Sequence, residues 1–245
     1  MSEISRDLPP PARALAIAAH PDDIEFGCGA TLAKWAAAGC LVFHLVCTDG
    51  SKGTWDARAD LGALVELRQA EQVAAAVALG ATGEVVFLGR VDGELENDRP
   101  TRSDVARWIR VLKPDVVLGH DPWKRYRLHP DHRAAGFLTV DGLVAARDPH
   151  FFPEHGVAHH RPSELLLFEA DEPDHAEDVA GFADFKIAAL EAHRSQLEST
   201  MFVSPDDAGA ELERFRQQVR DDLSATGSWA GMPEAERFKR LPTDR

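Results

Sequence analysis

The chain has 245 residues, enough for one large domain with a substantial core. Its formal net charge of −14, from 41 acidic against 27 basic residues, gives a surface that repels phosphate backbones and anionic lipid heads. That excludes nucleic acid and membrane surfaces as natural partners and leaves room for a small neutral substrate. Three cysteines, Cys28, Cys40 and Cys47, show no pairing pattern and no zinc-type Cys-x-x-Cys spacing. They read as buried free thiols of a reducing compartment. The first apolar stretch, Ala14 to Ala19, is too short for a signal-peptide core or a membrane span, so a cytoplasmic location is expected.

In chain order, Leu15 to Ala19 predicts a buried strand and Gly29 to Ala38 a helix of small residues stopped by Gly39. Leu41 to Thr48 predicts a second strand, and residues 60–79 a long helix ending at Gly80. A third strand is expected over Glu84 to Leu88, a helix over Ser103 to Leu112, and a fourth strand over Asp115 to Gly119. Helix Asp131 to Ala146, strand Ser163 to Glu169 and helix Asp178 to Leu197 follow. The remainder, 198–245, reads as a charged helical extension from about Asp206 with a loose end at Leu241 to Arg245. Strands alternating with helices imply right-handed crossovers, hence an α/β fold: a Rossmann-like three-layer α/β/α sandwich around a mostly parallel sheet. The catalytic motifs fall within 14–197 of this single domain. Open parallel sheets bind ligands beyond the carboxyl ends of their strands, which places the chemistry just after Ala19, Thr48, Leu88 and Gly119.

Directly after the first strand stands His20-Pro21-Asp22-Asp23. Pro21 turns the chain, so three polar side chains project from the strand end. Imidazole nitrogen and carboxylate oxygen are both zinc ligands, and two adjacent aspartates cannot easily point the same way. One can bind metal while its neighbour faces the attacking water. The same turn, taken alone, also suits a cap for the helix near Gly29. A second cluster decides for metal: after the fourth strand, Gly119-His120-Asp121-Pro122 opens a loop that closes on His129-Pro130-Asp131-His132. The first and fourth strand ends can meet at one crevice, bringing His132 to His20 and Asp23. Two histidines and one carboxylate leave a tetrahedral zinc ion with one open position, the pattern of hydrolytic rather than structural sites.

The segment Ala19-His20-Pro21-Asp22-Asp23-Ile24-Glu25-Phe26-Gly27-Cys28-Gly29-Ala30-Thr31-Leu32 resembles the signature of the LmbE-like, or PIG-L, deacetylases. Thr48 to Thr54, Phe87-Leu88-Gly89, His129 to Gly136, and Lys186 through His193-Arg194-Ser195-Gln196 are similar too. Ile24 departs from the glutamate that many members carry there, and Glu25 follows as in a common variant. The resemblance implies a zinc ion held by His20, Asp23 and His132, with Asp22 as general base and His129 assisting the tetrahedral intermediate as a protonated donor. It implies hydrolysis of an N-acyl group, most simply N-acetyl, from a glucosamine-type sugar. Iron(II) suits the same donors. A related amidase for a non-sugar amide or thiol conjugate stays open. So does a metal-binding module without turnover, although that requires a fourth ligand the sequence does not obviously offer.

Other residues carry two readings each. Arg68 and Glu71 share a helix face and make either a clamp on substrate hydroxyls or an exposed ion pair. Gly50 to Asp56, with Lys52 and Trp55, is either a lid over a sugar or a surface loop. Asp121 either orients a ligand histidine or shapes its own turn. His193 falls on a buried helical face, as a site residue or a core histidine. His150, His155, His159 and His160 read as solvated loop residues. A homo-oligomer is compatible with the sequence, which has no coiled-coil pattern. The start of a dinucleotide fingerprint at Gly27-x-Gly29 fails because Leu32 replaces the third glycine.

Overall fold

The computed structural model describes residues 4–243. Strand β2 (Arg13–Ala18) is buried along Ala14 to Ala18, as a continuous apolar run at the centre of a parallel sheet should be. Around it lie β3 (Leu41–Thr48), β4 (Val85–Arg90), β5 (Val116–His120) and β6 (Glu164–Phe168). Helices α1 (Asp23–Ala37), α2 (Leu61–Ala78), α3 (Arg99–Leu112), α4 (Pro130–Arg147) and α5 (Ala183–Ala192) connect or follow them. Among the described residues the sheet has eight strands, completed by β1 (Ser5–Arg6), β7 (His175–Asp178) and β8 (Ala235–Pro242), in the order β1-β7-β8-β6-β5-β2-β3-β4. Every pairing is parallel except those of β8 with β6 and β7.

Alternation in the strands divides the core. Leu15, Ile17, Leu45, Val117 and Leu167 face α3 and α4, whereas Ala16, Val46, Leu118 and Phe168 face α1, α2 and α5. This is the expected three-layer sandwich. From β2 the chain adds β3 and β4 on one side, then crosses to place β5 on the other side of β2. The strand order reverses at that point, and the crevice between the β2 and β5 ends is where such sheets bind ligands.

Three expectations need correction. Helix α1 starts at Asp23, not Gly29; a kink at Cys28 (φ −152°, ψ 19°) splits it, and the sequence pattern marks only its second half. The expected helix from Asp178 to Leu197 shrinks to α5 and a 3-10 turn at Arg194–Gln196, with strand β7 before it. The C-terminal extension is not wholly helical: α6 (Ala210–Ala230) is followed by β8, which inserts into the sheet and includes Leu241, placed in the loose end by sequence. Glu236, Arg237, Lys239 and Arg240 give β8 a polar look, yet Arg240 pairs with Glu164 and Lys239 with Asp174 on its neighbours. The rest of the expected loose end, beyond 243, lies outside the described residues.

Candidate metal centre and active site

The turn after β2 is gripped from several directions. Asp22 has φ +101°, the left-handed region, which a non-glycine residue occupies at a cost of about 1–3 kcal/mol when its surroundings hold it there. The His20 N–H donates to Asp23 Oδ2 at 2.8 Å and the Asp22 N–H to Gln72 Oε1 at 3.0 Å. Arg68 Nη2 donates to Pro21 O at 2.6 Å and to Asp22 Oδ2 at 3.3 Å. The two adjacent carboxylates are thereby separated: Asp23 meets His20 and His132, and Asp22 meets Arg68.

His20 Nδ1 lies 3.2 Å from Asp23 Oδ2 and 3.2 Å from His132 Nε2, and His132 Nε2 lies 3.3 Å from Asp23 Oδ1. A tetrahedral zinc ion with nitrogen and oxygen ligands at about 2.0–2.2 Å spaces its donors by roughly 3.3–3.5 Å. The donor chemistry and the spacing both fit. The helix start explains the placement of His132: His129 caps α4, with its Nδ1 accepting the Asp131 N–H at 3.3 Å, and Pro130 occupies the first helical turn. Gly136 then lets α4 pass the β5 exit, since a Cβ there would stand 2.8 Å from His120 O and 2.9 Å from Pro122 N.

Several side chains that sequence reasoning did not assign surround these donors. His20 Nε2 faces Asp131 Oδ2 at 3.1 Å and Asp92 Oδ1 at 3.2 Å. Asp131 also accepts the N–H groups of Gly93 and Leu95. His120, buried, lies between Asp23 Oδ2 at 3.4 Å and Glu169 Oε2 at 3.0 Å. Arg127 touches both Glu169 and His132 Nδ1. Asp92 and His120 do follow strand ends where ligand contacts are expected, but a lone Asp in Val91-Asp92-Gly93 carries no pattern of its own.

The electrostatics favour added positive charge. Burial works against protonating His20, but its hydrogen bonds to Asp131, Asp23 and Asp92 carry its pKa well above the ordinary value. Burial likewise opposes the charged forms of His120 and Asp23. Asp23 and Glu169 nevertheless raise His120, while His132 and His120 hold Asp23 well below the usual carboxylate range. Burial, helped by His120 and Arg127 and opposed by Asp23, brings His132 down to about 4, so its imidazole is neutral. Burial pushes the Asp22 carboxyl up to about 7; Arg68 opposes the shift and Asp23 adds to it. His120 meets a carboxylate at each nitrogen, Asp23 at Nε2 and Glu169 at Nδ1, and so braces Asp23 from the side of β5.

The remaining sequence candidates separate. The His129 ring stands edge-on to His20 at 4.6 Å between centroids and stacks on His132 at 4.9 Å. Its pKa is lowered by burial and by His20, which works against the expected protonated form, and its Nδ1 accepts the Asp131 N–H, leaving Nε2 as the end free to donate. Arg68 is buried and makes no ion pair with Glu71, which instead binds the Ser195 N–H and hydroxyl. Lys52 Nζ is tied to Asp92 O and Glu94, and Trp55 is exposed. Asp121 shapes its own turn by accepting the Trp123 N–H at 2.9 Å. His193 is fully buried against Glu25 at 3.2 Å. His150 and His159 are exposed, but His155 binds Ser103 and Arg110 and His160 binds Pro114 O, so these two are not free in solvent. The three cysteines are buried and unpaired.

A His/Asp cluster able to hold a divalent ion, set at the switch point of a parallel sheet beside a separate carboxylate, is the arrangement of a metal-dependent hydrolase. The chain belongs to the PIG-L (GlcNAc-PI de-N-acetylase) family, whose model matches residues 15–143. It is 33% identical to the diacetylchitobiose deacetylase of Thermococcus kodakarensis, over 94% of this chain and 83% of that one. It is 29% identical to a 1D-myo-inositol 2-acetamido-2-deoxy-alpha-D-glucopyranoside deacetylase of Catenulispora acidiphila, covering 85% and 73% of the two chains. The structure of N,N'-diacetylchitobiose deacetylase from Pyrococcus horikoshii superimposes with a TM-score of 0.84 at 30% identity, over 95% of this chain and 85% of that one. Among the described residues, no helix is long and apolar enough to cross a membrane.

Proposed function

We propose that this chain is a zinc-dependent N-deacetylase that removes the acetyl group from the 2-amino nitrogen of a glucosamine-type sugar or glucosaminide. The observation that carries the reading is the meeting of His20 Nδ1, Asp23 and His132 Nε2 at 3.2–3.3 Å, with Asp22 beside them and outside the set. Relatives named for acetylated amino sugars support the substrate class. His20, Asp23 and His132 hold the metal, which when bound supplies Lewis acidity toward a water molecule and the amide carbonyl. Iron(II) suits the same donors.

Asp22 takes a proton from the attacking water as the water oxygen bonds to the carbonyl carbon. His129 donates its Nε2 hydrogen toward the carbonyl oxygen as negative charge develops there. Asp22 then returns its proton to the nitrogen, the carbon–nitrogen bond breaks, and acetic acid and the amine leave, the acid's proton ending on the amine as acetate and ammonium. Arg68 fixes one Asp22 oxygen and leaves the other for this exchange.

The test is amine release from N-acetylglucosamine and N,N'-diacetylchitobiose, comparing the parent protein with Asp22→Ala at equal zinc content. The expected loss is on the order of 10²–10⁴ in rate with zinc still bound. Equal turnover by both proteins would remove Asp22 from the mechanism, and no release from any acetylated amino sugar would overturn the substrate class.

A further inference from the structure

Arg68 and Gln72 are four residues apart on α2 and so share one face, and both reach the turn that carries Asp22. Arg68 holds the side chain, whereas Gln72 holds the backbone. The amide that Gln72 Oε1 accepts belongs to the left-handed residue of the turn. Such a conformation persists only where its surroundings over-determine it.

Gln72 cannot turn its amide around. Its Nε2 donates to Glu25 Oε1 at 2.7 Å and to His44 Nδ1 at 3.2 Å, and Glu25 Oε2 accepts from His193 Nε2 at 3.2 Å. A carboxylate has no hydrogen to give and an amide nitrogen no lone pair to offer, so the Gln72 oxygen is the end left for Asp22. Glu25, His44, Gln72 and His193 are all wholly buried. Burying a carboxylate among such groups adds little stability compared with an apolar core, and its attested use is to fix one geometry. The Arg194–Gln196 turn clasps the same elements: Ser195 binds Glu71 of α2, and Gln196 binds Gly53 O.

We propose that Gln72, locked by Glu25 and His193, is a positioning residue that holds the Asp22 peptide left-handed and thereby aims the Asp22 carboxylate at the reacting amide. This rests on the reading of Asp22 as the base. The His193-Arg194-Ser195-Gln196 segment then braces, from behind, the face of α2 that grips the turn.

Two variants test it. Gln72→Met keeps the length without the acceptor, and Gln72→Asn keeps the amide one methylene short. Each is measured at matched zinc content for kcat and KM, and by hydrogen exchange at the Asp22 amide. The expected result is a fall in kcat on the order of 10²-fold with KM changed by less than about threefold. Exchange at Asp22 should speed by about tenfold or more while β2 and β5 stay protected. If Gln72→Met does not fold, Gln72→Asn alone carries the comparison. Unchanged kcat in folded protein, unchanged Asp22 exchange, or a kcat loss that only tracks the unfolded fraction would overturn the proposal. If Asp22→Ala retains full activity, the reading of the base falls instead, while the exchange result still decides whether Gln72 holds the turn.

Discussion

An imidazole ring that donates from one nitrogen offers its lone pair at the other, so the partner of the far nitrogen decides which one faces a metal. In His20 that partner is double: Nε2 meets Asp131 and Asp92, which leaves Nδ1 for the position shared with Asp23 and His132. Asp131 is in turn held by the Gly93 and Leu95 amides, and Asp131→Asn would set an NH2 group against one of those donors. The variant should bind zinc about 10–100-fold more weakly, read by competition with a chromophoric chelator. An affinity within about twofold of the parent would show that the carboxylate does not orient His20. The sequence could yield His20, Asp23 and His132 because each sits in a His-Pro-Asp turn at an element boundary, where proline and paired charges leave a local mark. Asp92, Arg127 and Glu169 leave none. Asp92 meets His20, and Arg127 meets Glu169, 42 residues further along, pairings that the sheet order brings together. His120 opens a loop motif in the sequence, but its place at the end of β5 sets it inside the cluster.

Among the elements, α1 shows how a remote segment completes a local one. Its kink at Cys28 frees the N–H groups of Ala30 and Thr31, and Glu236 of β8 accepts both, at 3.2 and 2.8 Å, while pairing with Lys186 of α5 at 2.6 Å. One carboxylate thus joins α1, α5 and β8. Glu236→Ala would leave two amides unpaired and the buried Lys186 ammonium uncompensated. Breaking such a pair from one side costs about 3–5 kcal/mol, expected as a lower midpoint in urea denaturation. A loss below about 0.5 kcal/mol would mean that water or Phe26 O, which Lys186 also reaches, replaces the carboxylate. The kink at Cys28 also explains why the sequence pattern starts the helix at Gly29. Sequence periodicity detects the regular second half, whereas the first turn depends on the left-handed Asp22 and on Gln72. The apolar central strands were legible for the converse reason: a strand buried on both faces announces itself in any window. β7 and β8 carry charged residues whose partners lie on α1, on β6 and just before β7, so alternation is hidden.

For the molecule as a whole, the sheet edge that carries β1 is fastened by charge as well as by the apolar contacts of Ile4 and Leu8. Lys34 of α1 reaches Asp7 Oδ1 at 2.7 Å, Glu177 Oε2 at 2.6 Å and Asp178 O at 3.0 Å, tying the segment after β1 to β7. Burial opposes the charged form of both partners, but the pairing outweighs it: Asp7 is lowered from its ordinary 3.8 and Lys34 raised from its ordinary 10.5. For Asp7 the unfolded chain binds the proton more readily, so its stabilisation is present above 3.8 and is lost as pH falls through the lower folded value. For Lys34 the folded chain binds the proton more readily, so its share is complete below 10.5 and is lost as pH rises through the higher folded value. Between those limits the contribution is flat. Asp7 is partly open to solvent, and screening keeps such a pair modest. Asp7→Asn removes the ion pair while leaving Glu177 its partners Lys34, His175 and the Leu8 amide. Urea denaturation of both proteins should therefore give a stability difference that is constant across neutral pH. The difference should shrink below about pH 4 and again above about pH 10.5, and fall at high salt. A difference that persists unchanged into strong acid would assign the effect of the substitution to backbone or hydrogen-bond changes at Asp7, and not to its charge.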